Sequence, residues 1–269
     1  MKFIHITDPH FVPKGKMLYG HDPRNSLEAA IKDINQHHKD AEIAIITGDL
    51  THWGEKEAFI SLKETLLNLA IPWRLLIGNH DKREIFSEIF PSQERDENGF
   101  VQSTIEKNIG TFLLLDTALE GTHAGHYCKI RQKWLADTLD KKDGPVFIFM
   151  HHPPFKIGIP VLDNINLRKD SQRIHQILSN YTNIRHIFFG HVHRPVSGSW
   201  HGIPFSTMYG TNHQIQLDLN AEDYFPHTHE PPSYCVILIE TEQTIVHLSL
   251  IHISEPTRPE RSGGSGIWV

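Results

Sequence analysis

Five apolar runs in this chain stop on side chains that carry charge, bind metals or move protons, and that repetition limits the fold more than any other feature. The run 3-FIHIT-7 leads into Asp8-Pro9-His10, 43-IAIIT-47 into Gly48-Asp49, and 73-WRLLI-77 into Gly78-Asn79-His80-Asp81. The run 146-VFIFM-150 leads into His151-His152-Pro153-Pro154, and 187-IFF-189 into Gly190-His191-Val192-His193. Near-continuous apolar runs of this length predict strands buried on both faces. Between them lie helical faces: Leu27, Ala30, Ile31 and Ile34; Phe59, Leu62, Leu66 and Leu69; Trp134, Leu135 and Leu139; Ile174, Ile177 and Leu178. Asn25 and Glu28 are spaced as a capping box for the first. The alternation predicts α/β architecture with helices covering the sheets.

In open α/β sheets, functional groups collect beyond the carboxyl ends of the strands. Five such ends therefore deliver Asp, His, Asp, Asn and further His residues to one crevice. Three consecutive polar side chains at Asn79-His80-Asp81 are costly at a strand exit unless they find partners. The His191-x-His193 pair puts both imidazoles on one side of an extended segment, because the side-chain period is two.

The bulk properties narrow the classes. A net charge of -6 without a long Lys/Arg block argues against a protein that tracks a long nucleic acid. No apolar run reaches 18 residues, so no membrane span is expected. The chain opens directly into "KFIHITD" without a signal-like segment, and its two cysteines, Cys128 and Cys235, give no disulfide framework, although their pairing is left open. A reduced, cytoplasmic setting is the expectation. The 21 histidines are notable for where they sit. Residues 1–253 are expected to form one domain, strand-rich from about 196. The 254–269 stretch of Pro, Arg, Ser and Gly is expected to be a disordered or artificially appended tail.

The set D-x-H, G-D, G-N-H-D, H-H-P-P and G-H-x-H resembles the signature of the calcineurin-like metallophosphoesterase superfamily. With "LYG" at 18–20 and "GTNHQ" at 210–214, the likeness narrows to class III cyclic-nucleotide phosphodiesterases and bacterial glycerophosphodiesterases. The resemblance implies a four-layer α/β/β/α sandwich of two mixed sheets flanked by helices. It also implies a dinuclear metal site and a homo-oligomer. Asp8, His10 and His193 would hold one divalent ion, Asn79, His151 and His191 the other, and Asp49 would bridge. His151 rather than His152 stands at the ligand position. Imidazole, carboxylate and amide donors without thiolate fit Mn, Fe, Co or Zn. Even with a bridging hydroxide, two dications against Asp8 and Asp49 leave a net positive trap for phosphate.

The implied activity is hydrolysis of small phosphodiesters, cyclic nucleotides or glycerophosphodiesters, by attack of a metal-activated hydroxide. The alternative is a phosphomonoesterase or nucleotide pyrophosphatase on the same site. By family position His80 faces the phosphate as proton donor or charge stabiliser, and the neighbouring Asp81 would orient or charge its imidazole. His213 matches a position near the phosphate. His52 would either touch substrate or cap the next helix. Tyr19 and His21 fall on a loop at the pocket mouth. "FPHTHEPP", 225–232, suits a lid or an oligomer contact, with His227 and His229 expected as solvated loop residues.

Overall fold

In the computed structural model, which describes residues 1–225 and 227–251, the chain begins β1 (Lys2–Ile6), α1 (Pro23–His37), β2 (Ala44–Thr47), α2 (Lys56–Leu66), β3 (Trp73–Leu76) and α3 (Arg83–Ile89). It continues β4 (Ser103–Lys107), β5 (Gly110–Leu115), α4 (Lys129–Leu139), β6 (Val146–Met150), α5 (Pro160–Asp163), α6 (Ser171–Leu178) and β7 (Ile184–Phe189). The remainder holds strands only among the described residues: β8 (Val196–Trp200), β9 (Ile203–Thr207), β10 (Gln214–Ile215), β11 (His227–Thr228), β12 (Ser233–Ile239) and β13 (Thr244–Leu250). The tail expected at 254–269 lies outside the described residues. No helix among those residues is long and apolar enough to cross a membrane.

One mixed sheet has the order β13-β12-β1-β2-β3, the other β4-β5-β6-β7-β9-β8, and β10 pairs with β11 in a small ribbon. The period-two alternation of strand side chains splits the core into layers. Ile4 and Ile6 of β1 join Leu27, Ile31, Phe59 and Leu62 beneath α1 and α2, whereas Phe3 points the other way. Ile148 and Met150 of β6 pack under α4 and α6, whereas Phe147 and Phe149 face the first sheet. The layer between the sheets is aromatic: Phe3 meets Phe112, Phe149 and Phe188 at centroid distances of 5.2, 5.6 and 5.5 Å. The four-layer sandwich follows from these three separate cores.

Helix α1 starts differently from the sequence expectation. Asp22 is its N-cap and accepts from the Arg24 N–H at 3.0 Å, while Asn25 sits inside the first turn. Pro23 presets the helical φ at the first position, so the start falls three residues before the Asn25/Glu28 box. Helix α3 and strand β4 carry no strong period in the sequence and were not expected.

Strands β1, β2 and β3 are mutually parallel, as are β5, β6, β7 and β9. Their carboxyl ends therefore open on the same side, and the loops that leave them build the site.

Candidate metal centre

Each strand exit turns sharply, and the turns are tied to one another. The Asp8 N–H donates to the Gly48 carbonyl (3.2 Å), the His10 N–H to that of Asp49 (2.9 Å), and the Gly190 N–H to that of His151 (3.2 Å). Seven non-glycine residues among those described have positive φ, and five belong to the expected ligand set: Asp8 (52°), His10 (46°), Asp49 (46°), His191 (69°) and His193 (50°). Such a backbone costs on the order of 1–3 kcal/mol per residue and persists where the surroundings impose it. Close approach also needs Gly78, where a Cβ would lie 2.2 Å from Asp49 Oδ1.

These turns gather the first half of the set. Ligand atoms of Asp8, His10, Asp49 and His193 all lie within 4.8 Å of one another, and all four residues are buried. His10 Nε2 is 3.0 Å from His193 Nε2 and 3.5 Å from Asp49 Oδ2, and His193 Nε2 is 3.4 Å from Asp8 Oδ1. In the second half, His151 Nε2 lies 3.4 Å from Asp49 Oδ2 and 3.3 Å from Asn79 Oδ1. His191 stands beside His151 at a ring distance of 5.2 Å. Asp49 thus sits between the halves.

Do these groups suit cations? His191 Nε2 is buried without a hydrogen-bond partner among the described residues, an atom that asks for a ligand. Burial, the largest influence on both, holds His10 and His191 well below the ordinary imidazole range, which is the neutral, ligating form. Burial would also lower His151, but the Asp49 carboxylate overcomes it and carries the imidazole up to about 9. Burial would raise Asp49, yet His151 and His80 draw it well below the carboxylate range. Two buried carboxylates here demand positive charge, and the donor set fits divalent cations.

The outer ring of the site fixes tautomers. His151 Nδ1–H donates to the Thr47 carbonyl (2.7 Å) and His193 Nδ1–H to that of His213 (2.8 Å), which aims both Nε2 atoms inward. His52 Nδ1 meets His10 Nδ1 at 3.1 Å, and its carbonyl accepts His80 Nδ1–H at 2.6 Å. Helix α2 is instead capped at Glu55, without a side-chain bond, so the capping reading of His52 fails. Burial and the neighbouring His80 hold the His52 imidazole down to about 4. With Nδ1 engaged, His80 presents Nε2 to the cavity, 3.9 Å from Asp49 Oδ2. Its backbone N–H donates to Asp49 Oδ1 at 3.0 Å.

Asp81 requires a correction. Its carboxylate accepts from the N–H groups of Leu50, Thr51 and Gly78, each at 2.9 Å, and from the Thr51 hydroxyl at 2.9 Å. No hydrogen bond among the described residues joins it to the His80 imidazole. The residue clamps the 48–51 turn to the β3 exit, because the sharp turn leaves backbone donors that no strand ladder satisfies. Asp81→Ala is expected to strand three buried backbone N–H groups, besides the Thr51 hydroxyl, and cost about 3 kcal/mol or more. The thermal midpoint should fall by roughly 6–12 °C; a melt within about a degree of wild type would overturn the clamp.

A cavity of about 390 Å³ opens over the cluster, lined by His10, Asp49, Asn79, His80, His191 and His193 at its base. His52, Tyr19 and His213 line it as expected, while His21 packs against His229 (4.4 Å) outside it. His227 is exposed, as expected, but it lies on the β10–β11 ribbon rather than in a free loop and borders the cavity, its ring tilted against Tyr19 at 4.1 Å. His123 was missed. From an irregular loop with no periodic signal, its Nδ1 meets Asn79 Nδ2 at 3.0 Å and its carbonyl faces His152 Nε2 at 3.3 Å. His152 itself reaches Asn79 Oδ1 (3.1 Å) and Thr117 Oγ1 (2.9 Å), orienting the amide. Both cysteines are free thiols.

Residues 1–195 match the family model for calcineurin-like phosphoesterases. The chain is 41% identical over 251 residues to a probable cyclic nucleotide phosphodiesterase of Rhodopseudomonas palustris, covering 92% of this chain and 91% of that one. It is 33% identical over 236 residues to a probable glycerophosphodiester phosphodiesterase of Arcobacter nitrofigilis, covering 87% and 86%. A dimetal phosphatase from Danio rerio shares the fold with a TM-score of 0.71 at 14% identity, over 94% of this chain and 99% of that structure.

Proposed function

Because this chain belongs to the calcineurin-like phosphoesterase family, we propose that it is a dinuclear metal-dependent phosphodiesterase acting on small diesters, cyclic nucleotides foremost. The observation that carries this reading is the buried carboxylate–imidazole cluster at the floor of the 390 Å³ cavity. Asp8, His10 and His193 would hold one divalent ion, Asn79, His151 and His191 the other, with Asp49 between them. Imidazole, carboxylate and amide donors support Mn, Fe, Co or Zn. When bound, the pair supplies Lewis acidity toward phosphoryl oxygens and a lowered pKa for the attacking water.

The protein groups then divide the remaining work. The His52 carbonyl holds His80 Nδ1–H, so the imidazole turns Nε2 toward the leaving alkoxide and delivers a proton there. His213, between His10 (4.8 Å) and Tyr19 (4.7 Å), borders the space beside the cluster. Beside the imidazoles, the cavity is lined by Leu162, Ile165, Ile215, Phe225 and Trp53, with Trp53 55% exposed. Such a wall suits a flat, weakly polar substituent on the diester better than a glycerol arm. The two free thiols, Cys128 and Cys235, support a reducing, cytoplasmic setting.

Charge separates diester from monoester. A diester monoanion is cleaved once and leaves, whereas a monoester dianion is held more strongly by the same ions, as product. The metal-replete protein is therefore expected to hydrolyse bis(p-nitrophenyl) phosphate faster than p-nitrophenyl phosphate, with monoesters and inorganic phosphate as inhibitors. A panel of 2',3'- and 3',5'-cyclic nucleotides and glycerophosphodiesters ranks the natural class. Turnover of the monoester at or above that of the bis ester would replace this reading with a phosphomonoesterase.

A further inference from the structure

The layer between the sheets is built from phenylalanines, yet a line of polar side chains runs through it toward the site. His5 Nε2 lies 2.8 Å from Thr47 Oγ1, Thr47 Oγ1 lies 2.8 Å from Thr7 Oγ1, and Thr7 Oγ1 lies 2.7 Å from Asp8 Oδ2. All four residues are buried, and the His5 ring sits edge-on to Phe149 and Phe188 at 6.2 and 5.7 Å. Hydroxyls and an imidazole in such a layer are unfavourable unless each finds a partner. We infer that Thr7 and Thr47, backed by His5, form a positioning relay that sets the Asp8 carboxylate for one ion and links it to His151 at the other.

Proton counting gives the relay one direction. Asp8 only accepts, so Thr7 donates its single hydroxyl proton to Oδ2. Thr7 must then accept from Thr47, whose own proton is used there. Thr47 in turn accepts from His5, which requires the proton on Nε2. Burial and the nearby His186 hold the His5 imidazole down to about 3, consistent with a neutral ring of one tautomer. With Oδ2 engaged by Thr7, Asp8 turns Oδ1 toward His193 Nε2, 3.4 Å away.

Thr47 acts in both halves of the site. Its hydroxyl belongs to the Asp8 line, while its carbonyl accepts His151 Nδ1–H at 2.7 Å and so aims His151 Nε2 at Asp49. The exit of β7 closes over the line. At Gly190 a Cβ would lie 2.2 Å from Thr7 Oγ1, 2.8 Å from the Thr47 carbonyl and 3.1 Å from Asp8 Oδ2, so only glycine lets the β7 exit pack this closely on the line. The next residue, His191, donates its N–H to the same carboxylate at 3.1 Å.

This inference rests on the reading of Asp8 and His151 as ligands, and calorimetric titration of the metal-stripped protein with Mn²⁺ tests both separately. Groups that orient metal ligands typically contribute about 10–100-fold in affinity. Thr7→Val and Thr47→Val are expected to weaken one of two binding events by about 10–100-fold, since Thr47→Val keeps the carbonyl on His151. Thr7→Ser, which keeps the hydroxyl, should restore the event. Thr7→Ala, which adds no bulk, stands in if the valine variant does not fold. Wild-type affinity in both Thr7→Val and Thr47→Val, failure of Thr7→Ser to restore it, or equal loss at both events would overturn the relay. Wild-type protein that binds no Mn²⁺ would overturn the metal reading beneath it.

Discussion

Asp49→Ala is expected to purify with at most one ion and to lose at least about 10³ in kcat/KM, the equivalent of several kcal/mol of Lewis-acid stabilisation. Asp49 lies between the two halves, with Oδ2 3.5 Å from His10 Nε2 and 3.4 Å from His151 Nε2. Its removal takes away a full negative charge from a buried cluster of imidazoles. It also strands the His80 N–H that donates to Oδ1. Asn79→Ala removes one neutral donor from one half and should lose less metal and less activity. Metal analysis finding two full equivalents in Asp49→Ala would sink the bridging assignment.

His80→Ala is expected to keep both ions and lose on the order of 10² to 10⁴ in turnover, the usual range for a positioned acid or base. Its side chain is 21% exposed, and the hydrogen bond of its ring, Nδ1–H to the His52 carbonyl, directs Nε2 to substrate. A nitrophenolate departs without help, whereas an alkoxide needs a proton. The loss should therefore be smaller for bis(p-nitrophenyl) phosphate than for an alkyl diester. Equal losses for the two would leave His80 as a stabiliser of charge and remove the proton from its role.

The readings that held came from the strands. Runs such as 146-VFIFM-150 are buried on both faces, so their apolar character is continuous and their polar exits stand out. The contacts that stayed illegible in the sequence involve polar residues off that pattern. Asp81 follows His80 directly, yet its carboxylate turns back to Leu50 and Thr51, 31 and 30 residues away in the chain. His123 comes from a segment without secondary structure. His227 reaches the cavity because β11 pairs with β10, in strands of two residues each that have no periodic signal.

Sequence alone determined the chemistry and the scaffold: which side chains leave the core at five strand ends, and that parallel strands bring those ends to one crevice. Period-two burial is local information, carried by each strand's own residues. The tertiary structure alone decided which atom of each side chain is used. His10 meets His193 across 183 positions, Thr47 meets Thr7 across 40, and the tautomers of His5, His80 and His151 follow from carbonyls and hydroxyls on other segments. A hydrogen bond depends on separations of tenths of an ångström between distant parts of the chain, and no spacing along the sequence encodes that.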